Sequence, residues 1–82
     1  MEVTIYSTSS CSACHSLKQW LDSKSVSYKS VVVDESPEGM QSFLAVSDGM
    51  IGVPFTVIED GPTVKAKISG FDQGKFKQAL NI

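Results

Sequence analysis

The hydrophobic pattern changes period twice within the first 33 residues, and this constrains the fold more than any other feature of the chain. Glu2–Tyr6 carries β-branched Val3, Thr4 and Ile5 and reads as a strand. Ser12–Ser23 places Ala13, Leu17, Trp20 and Leu21 at helical spacing, which predicts one buried stripe. Val26–Val33 ends in Val31-Val32-Val33, a run suited to a strand buried on both faces. Strand, helix and strand in so short a span predict a βαβ unit with a right-handed crossover and parallel strands.

Local punctuation extends the reading. Ser36 and Pro37 are suited to the cap and first position of a second helix, with Met40, Phe43 and Leu44 as its buried stripe and Asp48-Gly49 as its end. Phe55–Glu59 and Val64–Ile68 flank Asp60-Gly61-Pro62-Thr63, the chemistry of a hairpin turn. Lys65 and Lys67 alternate with apolar neighbours, which marks an outer strand with a charged edge. A third helix is expected after Phe71, with Asp72 as cap and Phe71 and Phe76 as the staple across it, and with Leu80 continuing its stripe. The order βαβ-α-ββ-α predicts an α/β fold: a four-stranded mixed sheet covered by three helices, one domain over residues 1–82.

Composition excludes several functions. Seven lysines face nine acids for a net charge of −2, and there is no arginine, so a nucleic-acid partner is not expected. No apolar run reaches the ~18 residues of a membrane span. Met1-Glu2-Val3-Thr4 shows no basic stretch followed by an apolar one, so no signal peptide is expected.

The two cysteines, Cys11 and Cys14, form a C-x-x-C pair between the first strand and the first helix. One bridge across so short a loop adds little stability by the loop-entropy argument, so reactivity explains the pair better than scaffolding. Cys11 falls at the helix N-terminus, where unpaired N–H groups and the helix dipole favour a thiolate. Cys14 lies one turn inside, on the same face. Cys11 is thereby placed to attack a disulfide and Cys14 to attack the resulting mixed disulfide.

Other readings remain beside this one. A structural zinc site wants four ligands, and only His15 is left to help within one chain. Zinc or an iron–sulfur cluster shared across a dimer stays open. His15 is expected to be a surface histidine that tunes the site rather than half of a Cys–His dyad, since no orienting acid is evident. Lys18 is expected to be solvated. Asp34, Glu35 and Glu38 are expected to solvate a helix start rather than guide a partner. Val53-Pro54 precedes a strand; the spacing leaves its isomer open, and a cis bond would present the Val53 main chain for strand-like pairing.

Together Thr4-Ile5-Tyr6, Cys11-Ser12-Ala13-Cys14-His15, Val53-Pro54 and Ser69-Gly70-Phe71-Asp72 resemble the glutaredoxins, including their NrdH-redoxin branch, along nearly the whole chain. The resemblance implies a thioredoxin fold with Cys11 as nucleophile and Cys14 as resolving thiol. It also implies a cis Val53-Pro54 in a substrate-facing turn. Ser12, Ala13, Val53, Pro54, Gly70, Phe71 and Asp72 become candidate substrate contacts. No bound cofactor or metal is implied. Electrons come from glutathione in glutaredoxins and from thioredoxin reductase with NADPH in NrdH-redoxins, and ribonucleotide reductase is the leading substrate in either case.

Many glutathione users carry Pro-Tyr between the cysteines and a lysine shortly before them, where this chain has Ser12-Ala13 and Thr8. The missing arginine removes the best partner for a glutathione carboxylate. Asp34–Glu38 and Ser69-Gly70-Phe71 look like the NrdH branch, although that branch continues Gly-Phe with Arg-Pro and this chain has Asp72-Gln73. Asp72 could instead hold the γ-glutamyl end of glutathione. Plain thioredoxins fit worse: they have Trp-Cys-Gly-Pro-Cys, and Ile5 stands where they bury an acid. The expectation is an NrdH-type dithiol–disulfide oxidoreductase, cytoplasmic and monomeric.

Overall fold

The computed structural model describes residues 2–47 and 52–81. The elements run in the expected order: β1 (Glu2–Ser7), α1 (Ser12–Ser23), β2 (Lys29–Val32), α2 (Pro37–Val46), β3 (Phe55–Asp60), β4 (Thr63–Ser69) and α3 (Gln73–Leu80). The expected end of α2 at Asp48-Gly49 lies outside the described residues. The sheet order is β2-β1-β3-β4. β1 and β2 are parallel, and the other two pairings are antiparallel. This is the four-stranded mixed sheet with three helices that the pattern predicts.

Alternation along the strands divides the core. Val3, Ile5, Ile58 and Ile68 pack with Leu17 and Leu21 of α1 and Phe76 of α3. Tyr6, Val33, Phe55 and Val57 pack with Phe43 of α2. The side-chain period of 2 in strands produces this split, so α1 and α3 cover one face and α2 the other. Among the described residues no helix is long and apolar enough to cross a membrane.

The helix caps follow from local chemistry. Ser36 accepts from Gly39 N at 3.1 Å with Pro37 opening α2, and Asp72 accepts from Lys75 N at 3.1 Å at the start of α3. Trp20 meets the rings of both expected staple residues edge-on, Phe71 at 5.9 Å and Phe76 at 6.0 Å between centroids. Gly39 lets α2 approach β2 closely, since a Cβ there would meet Val31 Cγ1 at 2.7 Å.

Three expectations about burial are corrected. β2 is an edge strand and not one buried on both faces: Lys29 and Ser30 are exposed, and Val31 and Val32 are half-buried. Among the described residues its strand neighbour is β1 alone, so the valine run serves the α2 face and the strand end, where Val33 is buried. Ala13 is exposed, and the buried stripe of α1 is Cys14, Leu17 and Leu21, spaced i, i+3, i+7. On α2, Leu44 is 42% exposed, because Gly39 and Phe43 set the buried direction and Leu44 lies a further 100° or so around the helix.

Candidate active site

The strand directions assemble the site. β1 and parallel β2 both end at the same side of the sheet, and antiparallel β3 starts there. β4 ends there too, since Ser69 pairs with Phe55. The loops carrying Cys11, Asp34, Val53-Pro54 and Gly70-Phe71-Asp72 therefore gather at one end, although they are spread over 62 positions from Cys11 to Asp72.

Cys11 is itself the N-cap of α1, in extended backbone conformation (φ −88°, ψ 106°). The serines and threonine before it are suited to that role by type, yet the sulfur takes it. Cys14 N–H donates to Cys11 Sγ at 3.1 Å. The two sulfurs are joined in a disulfide, with Cα atoms 5.3 Å apart, within the usual ~4.4–6.8 Å range. Cys11 is half-buried and Cys14 is 2% exposed, so Cys11 is the more accessible of the two. A thiolate at Cys11 would receive the Cys14 N–H as a charge-assisted hydrogen bond. Ser12 and Ala13 stand exposed between the cysteines.

The Val53-Pro54 bond is cis. Pro54 is fully buried, and Val53 is half-buried beside it. Among the described residues no backbone hydrogen bond engages Val53, whereas Pro54 O accepts from Gly70 N at 2.8 Å. That bond ties the loop before β3 to the loop after β4. Gly70 adopts φ +78°, a conformation that glycine reaches without steric penalty. Phe71 is half-buried against Trp20, and Asp72 is exposed at the α3 terminus. The residues expected to contact substrate thus lie at the end of the sheet that carries the cysteines.

His15 lies on the surface as expected, with Nε2 3.1 Å from Gln19 Nε2, so its ring is engaged along the helix. Among the described residues no three His, Cys, Asp or Glu side chains cluster as metal ligands. Lys18 departs from expectation: it is half-buried and donates from Nζ to Ser7 Oγ at 3.4 Å. Asp34 departs further. Its carboxylate accepts from Ser9 N at 3.1 and 3.3 Å and from Ser9 Oγ at 2.7 Å. The Ser9 hydroxyl holds the Asp34 carboxyl below its ordinary value of 3.8, against the opposing effect of desolvation, and the N–H groups of Ser9 and of Asp34 itself add smaller lowering contributions. The signal for this pair was topological and not local: parallel strands place the loops that follow them at the same end of the sheet.

Sequence comparison with characterised proteins returns no significant match. Solved structures are similar over nearly the whole chain. The thioredoxin-like protein BC3987, in a mutant form, is 26% identical with a TM-score of 0.82, covering 99% of this chain and 96% of its own. The glutaredoxin from Methanosarcina mazei Go1 is also 26% identical with a TM-score of 0.82, covering 99% of this chain and 79% of its own. The NrdH-redoxin from Escherichia coli, a glutaredoxin-like protein described as having a thioredoxin-like activity profile, shares the fold at 23% identity and a TM-score of 0.76, covering 95% and 93%. The sequence profile of the Glutaredoxin family matches residues 3–61, a span that includes the C-x-x-C pair and Val53-Pro54. With its thioredoxin fold and a Cys11–Cys14 disulfide at the head of a helix, the chain belongs to the glutaredoxin family and is a thiol–disulfide oxidoreductase.

Proposed function

We propose that Cys11 is the nucleophile and Cys14 the resolving thiol of an NrdH-type redoxin, which reduces disulfides in protein partners with electrons from thioredoxin reductase. The observation that carries the assignment of roles is the asymmetry of the pair. Cys11 Sγ sits at the helix mouth and accepts the Cys14 N–H, while the Cys14 side chain is almost wholly covered. The Cys11 thiolate attacks one sulfur of the substrate disulfide, forming a mixed disulfide and releasing the other sulfur as a thiolate. Cys14, losing its proton, attacks Cys11 Sγ. The substrate leaves as a dithiol and the protein as the Cys11–Cys14 disulfide. Two electrons from NADPH, passed through thioredoxin reductase, restore the dithiol.

The substrate peptide is proposed to lie across the open main chain of Val53 and against Ser12, Ala13, Gly70 and Phe71. Ribonucleotide reductase is the leading substrate, and the cytoplasm the proposed compartment, with the protein acting as a monomer. The NrdH-type reductant is favoured by the small Ser12-Ala13 pair, by Thr8 in place of a lysine and by the absence of arginine. A glutathione-dependent glutaredoxin is the second reading, and one observation favours it: Asp72 is an exposed acid at the site end of the sheet.

One assay separates the two. Oxidised protein is supplied either with thioredoxin reductase and NADPH or with glutathione, glutathione reductase and NADPH, and NADPH consumption is followed with a disulfide substrate. Turnover with thioredoxin reductase is expected. Turnover with glutathione alone would replace the NrdH-type reading by the second.

A further inference from the structure

We propose that Asp34 is a positioning residue for Cys11, acting through Ser9. The proposal rests on the assignment of Cys11 as the nucleophile, and it adds a residue whose carboxylate is bonded to Ser9 and not to either sulfur. β1 ends at Ser7, and the chain must cross Thr8, Ser9 and Ser10 before Cys11 caps α1. Within this crossing the main chain is held by a bond from Cys11 N to Thr8 O at 3.3 Å. The crossing is also tied to the rest of the protein by Asp34, 25 residues away in sequence, through both the N–H and the hydroxyl of Ser9. Asp34 is well placed for this, since Val33 before it is buried and Val33 N donates to Ser7 O at 2.8 Å. The anchor is therefore rooted in the core, and the tether joins the loops that follow the two parallel strands.

The tether acts unequally on the two redox states. In the oxidised protein the covalent bond to Cys14 already holds Cys11 at the helix end. In the reduced protein that covalent restraint is gone, and the Cys14 N–H, the His15 N–H bond to Cys11 O and the loop are left to hold the sulfur there. A loop released at Ser9 gains conformational freedom, and the thiolate then meets the helix end for less of the time. Loss of the tether should destabilise the reduced form more than the oxidised form and make Cys11 less nucleophilic at neutral pH.

The test uses the whole protein with Asp34→Ala, together with Ser9→Ala, which removes only the hydroxyl bond, and Asp34→Asn, which keeps one acceptor. Glu35→Gln removes the neighbouring charge as a control. Thermal midpoints are measured in both redox states. The dithiol–disulfide equilibrium is measured against a defined thiol buffer, and Cys11 alkylation is measured at neutral pH. For Asp34→Ala the reduced midpoint should fall several degrees more than the oxidised one. The equilibrium should move about three- to tenfold toward the disulfide, and alkylation should slow by a similar factor. Ser9→Ala and Asp34→Asn should move the same way by less, and Glu35→Gln not at all. Equal losses in both redox states with unchanged equilibrium and alkylation would overturn the proposal and leave Asp34 a structural residue. Faster alkylation in Asp34→Ala would overturn it too, because the carboxylate would then be acting only as a repelling charge. Should wild-type Cys11 alkylate like an ordinary thiol, the nucleophile assignment fails, whereas the redox-dependent midpoints still judge the tether.

Discussion

Replacing Thr56 by valine should stabilise the protein without altering its chemistry. Thr56 lies in β3 and pairs with Ile5 on one side and Ile68 on the other. It is 0% exposed, and its Oγ1 has no hydrogen-bond partner among the described residues. A buried hydroxyl without a partner costs about 1–3 kcal/mol. Valine keeps the β-branched shape and the strand preference, and puts a methyl group where the hydroxyl was. Small misfits at the methyl take back part of the gain, so about 1–2 kcal/mol of net stabilisation is expected. For a domain of this size about 1 kcal/mol corresponds to ~4–8 °C. Thermal unfolding of oxidised Thr56→Val, followed by circular dichroism, should therefore show a midpoint roughly 5–10 °C above wild type. Urea unfolding should shift in the same direction with an unchanged slope. Disulfide-reducing turnover should be unaffected, because the substituted atom lies in the sheet interior. An unchanged or lowered midpoint would refute the reasoning, since it would mean that the hydroxyl contributes a bond in the folded state.

Further outcomes follow from the site and its surroundings. Cys11→Ser should abolish reduction, whereas Cys14→Ser should accumulate mixed disulfides that mass spectrometry detects; equal loss of the first exchange step in both variants would contradict the assigned roles. Asp72→Ala should lower stability by about 1 kcal/mol through loss of the α3 cap, while Asp72→Asn should keep the cap and leave reductase-driven turnover unchanged. A loss of turnover confined to glutathione as reductant in Asp72→Asn would instead assign Asp72 to glutathione. Tyr6 is 7% exposed, and burial first and Glu59 second raise its pKa above the ordinary 10.0. Its folded state favours the neutral phenol, so this contribution to stability is complete below pH 10.0 and is lost as pH rises through the raised value. Tyrosinate absorbance against pH should show Tyr6 ionising later than a free tyrosine, and Glu59→Gln should bring it partway back.

The parts of the structure legible in the sequence were those written in local chemistry. Ser12–Ser23 is the observed span of α1, and Ser36 and Asp72 cap the helices they were expected to cap. A cap needs only the residue and the turn that follows it. The cysteine site was legible for the same reason, because strand, C-x-x-C and helix are contiguous. Burial was less legible. Val31-Val32-Val33 does not reveal that β2 lies at the sheet edge, since strand order depends on where β3 inserts. Ala13 and Cys14 are both small enough for the buried face of α1, and one step of helical phase decides between them. The Asp34–Ser9 bond joins residues brought together by the parallel pairing of β1 and β2, the Lys18–Ser7 bond joins α1 to the end of β1, and no local pattern records either.

The most direct measurement is alkylation of the reduced protein across pH, with the two cysteines resolved by peptide mass. Cys11 should react with a midpoint well below the ~8.5 of free cysteine, and Cys14 should react far more slowly at every pH that keeps the fold. Two thiols that both titrate and react like free cysteine would contradict the claim that the head of α1 holds Cys11 as an anion.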